Sequence, residues 1–224
     1  MTQAPALLLL DLDGVSALER APPGGEVLEI FRLHEDLNAG IAALGCPVAV
    51  VTHRSRKEAL RILAAIGVRR EGVTGLFSAE DFLFASLARP FDLFRRGLLK
   101  SAALPAIERK FGLARQRMAI IDDRETNLLD LQSAGLGLCM KAPSQSSEQP
   151  DDLVSFDFAE AVRIFTDWRR EGGVRGTIQP LTPQRVFAAP DWRTGKNTRL
   201  SRLTVFSSIR RVARYARDMW RTAS

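Results

Sequence analysis

The sequence predicts an α/β fold, a parallel sheet with helices on both faces, followed by a basic, partly helical C-terminal extension. Apolar runs of strand length recur between stretches with helical spacing. The runs "ALLLL", "VAVV" and "MAII" do not alternate with polar residues, as suits strands covered on both faces. The net positive charge belongs to the end of the chain. From Gly172 to Ser224 there are eleven Lys/Arg and two acids, whereas the first 171 residues carry 21 bases and 24 acids.

The elements follow in order. "APALLLLDLD" is the first buried strand. Glu26 to Ala43, after the breaker "APPGG", shows helical apolar spacing and is expected to be one helix. "CPVAVVTHRS" is the second strand, with Pro47 at its start, where a missing N–H does least harm. Ser55 reads as the N-cap of a helix reaching Ile66 and closed by Gly67. "VTGLFS" is a short third strand, "RMAIIDD" a fourth, and "LGLCMK" a fifth, after a helix from Glu125 to Ala134 ended by Gly135. "APSQSSEQPDD" is a Ser/Gln/Pro-rich linker. A helix of about 156–170 follows it, and a last one runs over about 200–222. The expected division is a catalytic core at 1–141, a linker at 142–155 and an extension at 156–224.

A hydrophobic content of 46% is enough for a core and excludes a disordered chain. Cys46 and Cys139 lie far apart in apolar surroundings and read as small hydrophobes in a reducing compartment. No apolar stretch approaches the roughly 20 residues of a membrane span, and "ALLLL" has neither the basic flank nor the length of a signal peptide. A cytoplasmic protein is expected.

Ligands of an open parallel sheet bind at the carboxyl ends of its strands. There the first strand delivers Asp11 and Asp13, the second Thr52 and His53, and the fourth Asp122 and Asp123. Four carboxylates in one crevice call for a hard cation with oxygen ligands, and Mg²⁺ is the expected one. Lys100 and Lys110 share the helix before the fourth strand, which runs antiparallel to the strands. Lys100 therefore stands near the crevice, and Lys110 about 15 Å away at 1.5 Å per residue.

These segments, "DLDGV", "VVTHR", Lys100 and "IIDDRETNLLDLQSAGL", resemble in kind and order the four motifs of the haloacid dehalogenase superfamily of phosphohydrolases. The resemblance covers roughly residues 5–140. It implies a Rossmann-like three-layer α/β/α sandwich and a phosphatase with little or no cap domain. Asp11 would be the nucleophile that forms an aspartyl-phosphate, and Asp13 the general acid and base. Mg²⁺ would be held by the Asp11 carboxylate, the Asp13 backbone carbonyl and Asp123, with Asp122 nearby or bound through water. Thr52 and Lys100 would hold the phosphoryl oxygens. Members that remove halide lack an acid at the position of Asp13, so its presence favours phosphoryl transfer. Asn127 stands where other members have Asp. His53, Arg54 and Asn127 are candidates for lining the substrate.

Between Asp11 and Thr52 lie 40 residues, and between Thr52 and Lys100 lie 47. Neither interval holds a large cap beside the elements it already contains, and the segment "AEDFLFASLARPFDLFRRGLL" offers at most a helical flap. The phosphorylated substrate, small molecule or macromolecule, is not specified by these residues. In the terminal helix, Val205, Ile209, Val212, Ala216 and Met219 fall on one face and five arginines on the rest. That pattern suits packing or homo-oligomerisation, or else an anionic membrane or nucleic acid. The alternative to an enzyme is a weakly active binding protein that recruits such a partner through its tail.

Overall fold

The computed structural model describes residues 5–20, 28–69, 71–87, 93–95, 97–145, 153–172, 177–186 and 192–194. Strand β1 (Leu7–Leu10) is entirely apolar and entirely buried. The reason is visible in how its residues divide. Leu8 and Leu10 enter one hydrophobic cluster, whereas Leu7 and Leu9 enter another on the opposite face of the sheet. A strand with a core on each side has no face to leave polar.

β2 (Ala17–Arg20) and β3 (Leu28–Arg32) form an antiparallel hairpin directly after β1. This corrects the expected helix over Glu26–Ala43, of which α1 (Leu37–Ala43) is the only helical part among the described residues. The misleading signal has a physical origin. Ile30 packs into the main core while its neighbour Phe31 joins a small cluster with Leu33 and Leu153. Apolar residues on both faces of a strand break the alternation and imitate helical spacing.

β4 (Val48–Val51) pairs with β1, and α2 (Arg56–Ala65) follows it with Ser55 as N-cap in a capping box with Glu58. β5 (Gly75–Phe77) and α3 (Ala79–Ser86) come next. A 3₁₀ turn at Lys100–Ala103 leads into α4 (Leu104–Phe111). β6 (Met118–Asp122), α5 (Glu125–Ser133) and β7 (Leu138–Lys141) complete the expected alternation, and the chain turns at Gly135 with φ 89°.

The resulting sheet is parallel, in the order β5-β4-β1-β6-β7-β9, where β9 is Gln179–Pro180. α1, α2 and α6 (Phe158–Glu171) cover one face and α3, α4 and α5 the other, giving the three-layer α/β/α sandwich. α6 begins at Phe158, because Phe156 ends β8 (Leu153–Phe156) and Asp157 caps the helix by accepting from Ala159 N at 2.9 Å. Phe158, Ala161, Phe165 and Trp168 of α6 are buried in the same cluster as β1, so this helix shares the core of the sheet.

β8 pairs with β10 (Pro183–Val186), and β11 (Trp192–Thr194) adds a third strand to the β2–β3 hairpin. The terminal helix expected at about 200–222 lies outside the described residues. No helix among the described residues is long and apolar enough to cross a membrane.

Candidate active site

β1 and β6 are neighbours in register, so their ends deliver Asp11 and Asp122 side by side. Asp11 N donates to Ile121 O at 3.0 Å, which ties the first residue beyond β1 to β6. The chain then turns sharply. Gly14 adopts φ 74° and its N–H donates to Ala17 O at 2.8 Å, while Ser16 Oγ donates to Asp11 O at 3.0 Å. A Cβ on Gly14 would meet the Asp123 side chain, so the glycine is required by space as well as by φ.

Lys100 is fully buried. Its Nζ lies 2.9 Å from Asp11 Oδ1 and 2.7 Å from Asp122 Oδ2. The 3₁₀ turn ahead of α4 places it there, whereas Lys110 on α4 sits over the Phe77 and Phe111 rings. Asp11 Oδ1 also accepts from Leu12 N at 2.8 Å, which leaves Oδ2 for an electrophile or a cation. Asp122 is fully occupied: Lys100, Arg124 N at 2.8 Å and Asn127 Nδ2 at 3.1 Å to both oxygens. The Asn127 amide is thus directed at Asp122.

Asp123 differs from Asp122. It is half-buried, and its Oδ1 is a buried oxygen with no hydrogen-bond partner. Asp11, Asp122 and Asp123 each bring a carboxylate oxygen within 4.8 Å of the others. Two carboxylates therefore share one buried ammonium, with a third acid beside them. Burial pushes Asp11 up to about 7, with Lys100 pulling it down and Asp122 and Asp13 adding to the rise. Burial and then Asp122 raise Asp123 as well. Burial opposes the charge on Lys100, but Asp11 and Asp122 outweigh it and hold its pKa above the ordinary value.

A divalent cation fits this donor set. It would partner the orphaned Asp123 oxygen and offset the surplus of negative charge, and the donor atoms the acids offer are all oxygen.

Thr52 is buried at the end of β4, and its Oγ1 accepts from Arg54 N at 3.1 Å. His53 points elsewhere: its Nε2 donates to Leu98 O at 3.0 Å and its ring meets Phe82 edge-on at 5.4 Å. Although His53 is exposed, the protein packed beneath its ring lowers its pKa by desolvation, and nearby Lys100 adds to this. Asp13 forms a bidentate pair with Arg54, with bonds of 2.7–3.1 Å. Arg54 also reaches Glu19 at 2.6 Å. Neither cysteine is placed for chemistry. Cys139 is buried with its thiol pushed up to about 12, by burial first and by Asp122 second, and burial also raises Cys46.

Glu19 and Arg61, which meet at 3.0 Å, escaped the sequence reading. "ALER" and "LEIFR" flank the turn-forming "APPGG", but "ALER" is made of helix formers and neither run alternates cleanly, so the hairpin that brings Glu19 beside the crevice left little mark in the sequence.

The parallel sheet covered by helices on both faces is the fold class the sequence predicts. In its four motifs the chain resembles the haloacid dehalogenase superfamily. No family model and no curated protein matches it. Among solved structures, it is similar to the 3-deoxy-D-manno-octulosonate 8-phosphate phosphatase of Moraxella catarrhalis, solved with magnesium, phosphate and KDO. Identity there is 17%, with 75% of this chain and 87% of that chain covered and a TM-score of 0.46. The enzyme of the same name from Yersinia pestis is 17% identical over 75% of this chain and 82% of that chain, with a TM-score of 0.41. A HAD-like phosphatase from Mesorhizobium loti is 22% identical over 77% of this chain and 90% of that chain, with a TM-score of 0.45. At this distance likeness carries no chemistry; the residues of the crevice do.

Proposed function

We propose that this chain is a Mg²⁺-dependent phosphatase that hydrolyses a phosphoric monoester through an aspartyl-phosphate on Asp11. The observation that carries the reading is Lys100, buried between Asp11 and Asp122 with the unpartnered Asp123 oxygen in the same cluster. A buried ammonium between two acids, beside a third acid lacking a partner, is costly as a structural device. It is well suited to hold a phosphoryl group and a cation together.

Asp11 Oδ2 attacks phosphorus, and the bond from phosphorus to the leaving oxygen breaks as Asp13 gives that oxygen a proton. Asp13, now a carboxylate, takes a proton from water, and that water attacks the phosphorus of the aspartyl-phosphate. Asp11 is regenerated and inorganic phosphate leaves. The Thr52 hydroxyl and the Lys100 ammonium offset charge on the phosphoryl oxygens throughout. The Asp11 carboxylate, the Asp13 backbone carbonyl and Asp123 would hold Mg²⁺, with Asp122 nearby or bound through water; when bound, the ion would neutralise charge on the phosphoryl group and the acids.

The test is a panel of phosphate monoesters, assayed for phosphate release with Mg²⁺ and with EDTA. Release that needs Mg²⁺ supports the reading. A wild-type protein inactive across the panel counts against it.

A further inference from the structure

The ion pair on Asp13 continues beyond Arg54. Arg54 Nε and Nη2 grip the two Asp13 oxygens, while Nη1 donates to Glu19 Oε2 at 2.6 Å. The other Glu19 oxygen accepts from Arg61 Nη2 at 3.0 Å. Glu19 belongs to the β2–β3 hairpin, yet its side chain is only 6% exposed, against 26% for Arg54 and 34% for Asp13. A carboxylate this dry remains charged only between groups of opposite sign, and its two partners come from the loop after β4 and from α2. The Arg54 guanidinium is held above its ordinary pKa, since Asp13 and Glu19 outweigh the opposing effect of burial.

We propose that Glu19 is a positioning residue for phosphoryl transfer: by fixing the plane of the Arg54 guanidinium, it sets the direction of the Asp13 carboxylate. This rests on the phosphatase reading above. A lone arginine has several rotatable bonds and would carry Asp13 with it. A planar guanidinium held along both edges by carboxylates has one orientation, and its fork passes that orientation on through two near-parallel hydrogen bonds. The hairpin thereby reaches the proton-transfer step without touching the reacting atoms, a step in which small misplacements of the acid matter.

The experiment compares kcat/KM for p-nitrophenyl phosphate and phenyl phosphate, with Mg²⁺, in wild type, Glu19→Gln, Arg54→Gln and the double variant. This ratio reads the first transfer, where the poorer leaving group, phenolate, depends more on the acid. Glu19→Gln is expected to lose about tenfold on phenyl phosphate and less than about threefold on p-nitrophenyl phosphate. Asp13→Asn should show the same leaving-group dependence more strongly. The double variant should be no slower than Arg54→Gln alone, because Glu19 acts through Arg54.

Equal losses on the two esters, or losses that multiply in the double variant, overturn the proposal and leave the phosphatase reading standing. A wild type inactive on both esters overturns that reading, and this proposal with it. If far-ultraviolet circular dichroism shows Glu19→Gln unfolded, Glu19→Asp takes its place; the charge is kept, the reach shortened, and the same comparison decides.

Discussion

Gly14 makes the room in which Asp123 sits: a Cβ on Gly14 would stand 2.5 Å from Asp123 Oδ2. The turn after β1 and the acid beyond β6 are therefore packed against each other with no atom to spare. Gly14→Ala is expected to destabilise the fold by about 1–2 kcal/mol through its φ of 74° alone. It should also displace Asp123 and raise the Mg²⁺ concentration needed for half-maximal activity. Urea midpoints and a Mg²⁺ titration of the variant check both parts.

Removing Lys100 strands two carboxylates. Asp11 and Asp122 share its ammonium in a fully buried pair of contacts. Lys100→Met is expected to lower stability by about 3–5 kcal/mol, the usual consequence of breaking a buried ion pair from one side. Chemical denaturation measures it, and a loss below about 1 kcal/mol would show that the pair is not isolated from water.

Mg²⁺ binding to the folded chain alone should stabilise it. At 100 times the dissociation constant the gain is about 2.7 kcal/mol, read as a rise in the thermal midpoint that EDTA abolishes. Asp123→Asn should lose most of that rise, because its Oδ1 is a buried acidic oxygen with no hydrogen-bond partner among the described residues. A full rise in the variant would place the cation elsewhere.

His34 is bonded to the turn that follows β1. Its Nε2 donates to Val15 O at 2.9 Å, and its ring packs edge-on against Phe156 and Phe158. Burial lowers its pKa below the usual 6.5, against smaller opposing effects from Val15, Asp36 and Asp157. The folded state thus binds this proton less readily than the unfolded chain. The stability His34 provides is complete above about pH 6.5 and is lost as pH falls toward the folded value. Denaturation at pH 7.5 and 5.5 should show a smaller fall in His34→Gln than in wild type; equal falls would assign the acid sensitivity to other groups.

Much of this was legible in the sequence, for definable reasons. The buried runs around Leu7–Leu10 and Met118–Asp122 could only be central strands, and a parallel sheet then forces their terminal acids together. Ser55 and Gly67 marked their helix ends because capping is a local property. The hairpin was not legible, because Ile30 and Phe31 serve different clusters and the period of the pattern is lost. Arg54 was visible as a candidate but its partners were not, since a charge network between Asp13, Glu19, Arg54 and Arg61 depends on tertiary placement that no spacing records.

The central claim is that Asp11 attacks phosphorus. Its most direct test is Mg²⁺-dependent hydrolysis of p-nitrophenyl phosphate by wild type and by Asp11→Asn, a substitution that keeps the shape of the side chain and removes the nucleophile. The account predicts activity in the wild type that EDTA abolishes and a loss of at least about 10³-fold in the variant. Hydrolysis by Asp11→Asn at the wild-type rate would contradict it.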